Sequence, residues 1–178
     1  SLSLSAGRAF FGEAAAGAPF TVYLRPGFTV RNYAVRAGDT LREKLPVSES
    51  DGNYHVEVRG PNGFLREFRG DGNRPAPGLS CGYETDPGGK TPTGHLLVEA
   101  KNDTPAALTL LIRDERYDSG EKRVTLAAKE TKSIRVDTTP GKGWYDFSVT
   151  LEGNASFRLR YAGRVETGKP GITDPAMA

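Results

Sequence analysis

The chain has 178 residues, 37% of them apolar and 26% charged, with a formal net charge of +2, a balance suited to burying one substantial core or two small ones. Its cations are scattered among acids rather than gathered in a stripe, so it lacks the electrostatic footprint of a nucleic-acid binder. No run approaches the roughly 18 apolar residues of a membrane-spanning helix, no signal peptide opens the sequence, and a lone cysteine, Cys81, excludes an intrachain disulfide and a thiolate metal cluster.

In chain order, Leu2-Ser-Leu-Ser5 reads as a short strand, and Phe10-Phe-Gly-Glu-Ala-Ala-Ala16 is the best helical candidate. Gly12 and Gly17 limit that candidate to a loop or a single turn. Phe20, Val22 and Leu24 then alternate with Thr21, Tyr23 and Arg25, the period-two signature of a strand buried on one face. Tyr54, Val56 and Val58 repeat the pattern, with His55, Glu57 and Arg59 on the other side. Turn chemistry punctuates these runs at Arg25-Pro-Gly27, Ser50-Asp-Gly52 and Gly60-Pro-Asn-Gly63, the last a strong hairpin signal. In the strand that follows, Arg66 falls between Phe64 and Phe68 on the inward side, and a bulge or a snorkelling stem would resolve the conflict. Further on, strands are expected near 79–85, 95–101, 106–113, 122–127, 131–136, 143–151 and 156–165, with turns at Pro140-Gly-Lys-Gly143 and Glu152-Gly-Asn154.

An internal repeat organises all of this. At an offset of 91, Val35-Arg-Ala-Gly-Asp-Thr40 falls on Leu126-Ala-Ala-Lys-Glu-Thr131 and Gly52-Asn-Tyr-His-Val-Glu-Val58 on Gly143-Trp-Tyr-Asp-Phe-Ser-Val149. Ala18–Arg25 matches Ala106–Arg113 at 88, and Phe64–Phe68 matches Phe157–Tyr161 at 93. The expected fold is therefore all-β: two tandem immunoglobulin-like antiparallel β-sandwich domains, at 1–70 and 79–165, with a linker at 71–78 and a tail at 166–178. The first copy has no counterpart of strand 79–85 and the chain opens without an initiator Met, so it reads as a fragment cut just inside a domain boundary. The ending reads as a natural C-terminus, solvated after Gly168.

No catalytic, cofactor or metal constellation emerges. His55 and His95 are two isolated imidazoles, where a metal needs three or four converging ligands. Cys81 lies in a strand and behaves as a small hydrophobe. Asp114-Glu-Arg-Tyr-Asp118 could offer carboxylates to Ca²⁺, yet the interleaved Arg113 and Arg116 make it read as a charged loop. The alternation sends Tyr145 inward and Trp144 outward or to the rim, where an indole could meet a sugar ring, a membrane interface or the other copy. Arg158, Arg160 and Arg164 line one face of the last strand, a solvated sheet face or an attraction for anionic headgroups.

Several segments together resemble one family. They are Ala18-Pro-Phe-Thr-Val-Tyr-Leu24, Asn53–Gly70 with its Gly-Pro-Asn-Gly-Phe element, Gly143-Trp-Tyr-Asp-Phe147, and Arg160-Tyr-Ala-Gly-Arg-Val-Glu-Thr-Gly168 with Ile172-Thr-Asp-Pro-Ala-Met177. This is similar to the C-terminal tandem repeat of bacterial phosphocholine-specific phospholipases C of the non-hemolytic type. The resemblance implies an upstream, metal-dependent catalytic domain that releases phosphocholine from phosphatidylcholine or sphingomyelin, export from the bacterium, and no catalytic, cofactor or metal site within these residues. The chain is expected to be a monomer that partners the upstream catalytic domain, and the rim position of Trp144 and the cations Arg158, Arg160 and Arg164 make these four the candidate contacts to a phosphocholine lipid surface. A carbohydrate- or protein-binding adhesive module is the alternative, because fold alone does not fix function.

Overall fold

The computed structural model describes residues 1–25, 27–45 and 52–177. Of the expected turns, Pro26 and the pair Ser50 and Asp51 lie outside the described residues. The fold is antiparallel throughout, with strands β1 (Leu2–Ser5), β2 (Ala18–Arg25), β3 (Thr29–Val35), β4 (Thr40–Glu43), β5 (Asn53–Arg59) and β6 (Leu65–Asp71) in the first repeat. The second repeat holds β7 (Gly78–Thr85), β8 (Pro92–Lys101), β9 (Leu108–Asp114), β10 (Glu121–Leu126), β11 (Thr131–Val136), β12 (Trp144–Leu151) and β13 (Asn154–Arg164). Each of the seven strands expected there is present. The helical candidate near Phe10 is a single 3-10 turn at Gly12–Ala14.

The two repeats share a sheet. β2, β3, β5 and β6 continue through β13 into β12, β9 and β10 as one eight-stranded sheet in the order β10-β9-β12-β13-β6-β5-β2-β3. The order is a palindrome of equivalent strands, so the repeats meet about a pseudo-two-fold axis through the β6–β13 pairing. In that pairing Leu65 to Arg69 run opposite Ala162 to Arg158, with Glu67 facing Arg160. Those two residues are equivalents at the repeat offset of 93, so the axis passes between them. The remaining strands form covering sheets, β1 with β4 over the first half and β11, β8 and β7 over the second.

Alternation decides which side of the large sheet is apolar. Phe20, Val22, Leu24, Val56 and Val58 join Leu4, Ala6 and Val35 in one buried cluster. Leu110, Ile112, Tyr145, Phe147, Val149, Leu159 and Tyr161 lead the other, closed by Leu96, Val98 and Ala100 of β8. Phe68 packs against both clusters. Both repeats use the same tyrosine-over-glycine device: Tyr54 lies opposite Gly70 and Tyr145 opposite Gly163. A Cβ on Gly70 would lie 2.4 Å from the Tyr54 hydroxyl, and one on Gly163 3.0 Å from that of Tyr145. The glycine leaves room for the ring, and the ring covers bare backbone.

The register corrects one sequence alignment. Val22 pairs with Val58, and Ile112 pairs with Val149, the equivalent of Val58, so β2 and β9 correspond at an offset of 90 rather than 88. A two-residue slip leaves every side chain on the same face, which is why alternation cannot detect it. The inward placement of Arg66 holds, but neither β5–β6 nor β6–β13 shows a register shift, so no bulge produces it.

Because Phe68 touches both clusters, Phe68→Ala is expected to lower stability by about 2–3 kcal/mol and to loosen the coupling between the halves. Urea unfolding followed by tryptophan fluorescence, which reports through Trp144 the contact of β12 with the first-repeat hairpin, and by far-ultraviolet circular dichroism checks this. Coincident transitions are expected for the parent chain and separated ones for the variant.

Candidate functional site

The seam between the repeats gathers most of the chemistry-bearing side chains on its outer face. Glu67 of β6 accepts from Arg158 Nη1 at 3.0 Å and lies 2.8 Å from His55 Nε2. Arg158 Nη2 reaches Glu115 at 3.2 Å, and Ser148 donates to the same Glu115 oxygen at 2.5 Å. Next to this chain, Arg160 grips Asp146 through Nε and Nη2, each at 2.7 Å, the bidentate fork that a guanidinium makes with a carboxylate. Arg116 Nε approaches Asp146 Oδ2, the oxygen that Arg160 Nη2 holds, at 3.5 Å. The Ser148 hydrogen bond, with help from Arg158, holds the Glu115 carboxyl below its usual range against a desolvation that opposes it. Asp146 pushes the Arg160 guanidinium further up, despite partial burial.

On the inner face, Arg66 enters an aromatic enclosure. Its guanidinium carbon lies 4.3 Å from the Phe64 ring centre, 5.1 Å from Tyr161 and 5.6 Å from Tyr145, distances at which ring quadrupoles attract a cation. It also donates to the Tyr145 hydroxyl at 3.0 Å and to the carbonyls of Leu65 and Ala162. The positive charge is thus accommodated by rings and dipoles. Burial raises the Tyr145 phenol, with Arg66 pulling the other way, and pushes Tyr161 up to about 12.

The four candidate contact residues fall into two groups. Arg158 and Arg160 belong to the seam network, whereas Trp144 and Arg164 are cross-strand partners at the far end of β12 and β13, roughly 13 Å along the strand from Arg160 and roughly 20 Å from Arg158. Trp144 is half-buried. Its indole N–H donates to the Ile172 carbonyl at 3.0 Å, and its ring packs on Gly63 in the first-repeat hairpin, where a Cβ would come within 3.1 Å. Arg164 is 3.7 Å from Glu166, and its Nε is buried without a hydrogen-bond partner among the described residues. The tail is therefore exposed but pinned: besides the indole bond, Tyr117 donates to Asp174 at 3.0 Å, and Asn62 of the first repeat reaches Glu166 at 3.1 Å. Trp144, Tyr117, Arg116, Arg160 and Met177 line an open cleft of about 480 Å³ here.

Other candidates take structural positions. His95 Nδ1 lies 3.2 Å from both the Thr138 amide nitrogen and Asp137. Cys81 packs against the second core, and burial pushes its thiol up to about 11, which suppresses the thiolate. Asp114 accepts backbone N–H groups from Arg116, Tyr117 and Ser119, so its carboxylate shapes the charged loop. Among the described residues no group of three or more His, Cys, Asp or Glu is placed to hold a metal ion, and no helix is long and apolar enough to cross a membrane.

Two copies of one antiparallel unit, fused edge to edge and tied across the join by the Arg158–Glu67 ion pair, define a tandem-repeat, all-β region. The chain belongs to the bacterial phospholipase C C-terminal domain family, which matches it at residues 3–71 and again at 77–164, one match on each repeat. It is 35% identical to a non-hemolytic phospholipase C of Pseudomonas aeruginosa over 172 residues, covering 91% of this chain and 24% of that protein. It is 32% identical to a hemolytic phospholipase C of the same species over 84% of the chain and 22% of the relative. With a non-hemolytic phospholipase C of Burkholderia pseudomallei the values are 31%, 82% and 21%. The chain thus spans a quarter or less of the length of these relatives.

The seam network carries a pH signature. Because the Glu115 carboxyl is held below its usual value of 4.5, its contribution is full above that pH and is lost as pH falls through the depressed value. Ser148→Ala removes the leading cause. Urea unfolding at pH 7 and pH 3 should show the variant losing about 1 kcal/mol less on acidification than the parent chain. Equal losses would refute the assignment.

Proposed function

We propose that this chain is the non-catalytic C-terminal platform of a secreted bacterial phospholipase C, whose upstream, metal-dependent domain hydrolyses phosphatidylcholine or sphingomyelin to release phosphocholine. Its task is to support that catalytic domain from a rigid base. The observation that carries the reading is the continuous eight-stranded sheet. Fusing the repeats removes the hinge that two separate sandwiches would have, and the seam spends its acids and cations on one another. The names of the relatives and the family match support the parent activity. The parent protein is expected to release chromophore from a chromogenic phosphocholine ester, and residues 1–178 alone to release none. Metal-dependent turnover by these residues alone would overturn the reading.

A second role, orienting the enzyme at a lipid surface, is favoured by one feature. Ile172 and Met177 are exposed, Met177 at 78%, on the tail that carries the Trp144 hydrogen bond. An indole at a rim with apolar side chains beside it suits the interfacial zone of a bilayer. Arg158 and Arg160 hold acidic partners on the same surface, so contact would rest on Trp144 and the tail, with Arg164 behind them. Cosedimentation with phosphatidylcholine and anionic vesicles is expected to fall at least threefold for both Trp144→Ala and Met177→Asp. No binding by the parent chain would leave the supporting role alone, and selective glycan-array binding abolished by Trp144→Ala would favour the adhesive alternative.

A further inference from the structure

The two repeats differ at one place where the sheet order predicts a match. In the second repeat β7 closes the covering sheet along the outer edge of β8, placing Leu79 opposite Ala100 and Cys81 opposite Val98. Its side chains Leu79, Cys81 and Tyr83 lie over the second core. In the first repeat β1 is the equivalent of β8: Ser5 pairs with Thr40 as Lys101 pairs with Thr131, and the Ala6 amide donates to Asp39 as the Asn102 amide donates to Glu130. β1 pairs with β4 on one side, and among the described residues no strand pairs with its other edge.

The floor beneath that edge is built to be covered. Phe157, Leu159, Tyr161 and Tyr145 are all buried in the second repeat, at 4–7% exposure. Their equivalents Phe64, Arg66, Phe68 and Tyr54 are only half-buried. Val98 is fully buried, whereas its equivalent Leu2 is not. Two adjoining cavities of about 250 and 410 Å³ flank the open edge, and both are lined by Leu2, Ser3 and Phe68. An unpaired edge over an apolar groove is a ready acceptor for one more strand.

We propose that this groove is a strand-acceptor site, filled by an extended segment of the same polypeptide lying roughly 10 to 20 residues before Ser1. The occupant follows from the repeat: β7 reaches β8 through a short antiparallel connection, so its counterpart should reach β1 the same way. The relatives supply the length, since the matched region is less than a quarter of each. The segment's chemistry is also specified. It places apolar side chains opposite Leu2 and Leu4, where Cys81 and Leu79 stand in β7, and a polar one opposite Ser3, where Ser80 stands. That strand is the physical connection through which the upstream domain would be held, so the inference rests on the chain lying downstream in a longer phospholipase, and not on any lipid contact.

Hydrogen exchange read by NMR tests it, comparing residues 1–178 with the same chain extended upstream by its own next 25 or so residues. The extension is expected to slow exchange of the β1 amides, residues 2–5, at least tenfold, to acquire protection itself, and to raise the melting temperature. Grafting a second copy of residues 78–96 directly before Ser1, which sets β7 in the matching register, should reproduce the β1 protection. Unchanged β1 exchange in both extended chains would overturn the proposal. Concentration-dependent protection of β1 in the 178-residue chain would assign the edge to a second copy and overturn it equally. Activity of the full-length protein on a chromogenic phosphocholine ester is scored separately: inactivity with β1 protected would refute the parent function and leave the strand site standing.

Discussion

Everything distinctive in this molecule depends on the antiparallel pairing of one strand with its own repeat. β6 and β13 are copies of each other, and each would otherwise end its sheet with a row of unsatisfied N–H and C=O groups. Pairing them removes both edges and makes a single surface out of two. In a dimer of identical chains the residue on the two-fold axis must face itself, so a charge there would meet a like charge. Tandem duplication lifts that constraint. Here the axis falls between Glu67 and Arg160, and each position has diverged to suit its surroundings: Glu67 collects His55 and Arg158, while Arg160 takes Asp146.

The same freedom explains the inward arginine. Arg66 and Leu159 are equivalents, and two arginines here would crowd two cations into one aromatic enclosure. With leucine in the second copy, the single guanidinium can use rings from both repeats and the Tyr145 hydroxyl. A half-buried cation is tolerated when its donors are met and its charge is spread over polarizable partners. The cost appears as asymmetry between the cores. The second cluster has 14 buried members and the first 8 among the described residues, a difference that follows from Arg66 at the centre and the uncovered floor beside β1.

The strands, their inward faces and the duplication were legible in the sequence because period-two alternation and turn residues encode them locally. Phe20, Val22 and Leu24, then Tyr145, Phe147 and Val149, announce their burial without any knowledge of neighbours. What alternation cannot encode is which strands lie side by side. The pairing of β6 with β13 joins residues about ninety positions apart, and nothing in either strand's pattern distinguishes an edge from an interior position. The two-residue misalignment of β2 with β9 has the same origin, since a slip of one full period is silent to the pattern. Arg66 stood out as a conflict, yet its resolution required rings from both repeats. The arginines of β13 suggested a free cationic face because their acceptors, Glu67, Glu115 and Asp146, come from three other segments of the chain.

The distribution of satisfied charge also constrains where this region can meet a partner. Across the seam, the outer face presents cations and anions already paired at 2.7–3.2 Å. A partner that relied on them would have to break a half-buried ion pair, at a cost that surface electrostatics in salt do not recover. Contact is therefore steered to the periphery, where groups are left over. One such place is the rim at Trp144 with the tail residues Ile172 and Met177, and the other is the open edge of β1 with its apolar floor. The β1 edge offers unpaired backbone and suits an extended polypeptide. The Trp144 rim offers amphipathic side chains and suits an interface between water and hydrocarbon. Under the proposed reading, the locked sheet would hold a catalytic domain at one margin and leave the other to face a surface.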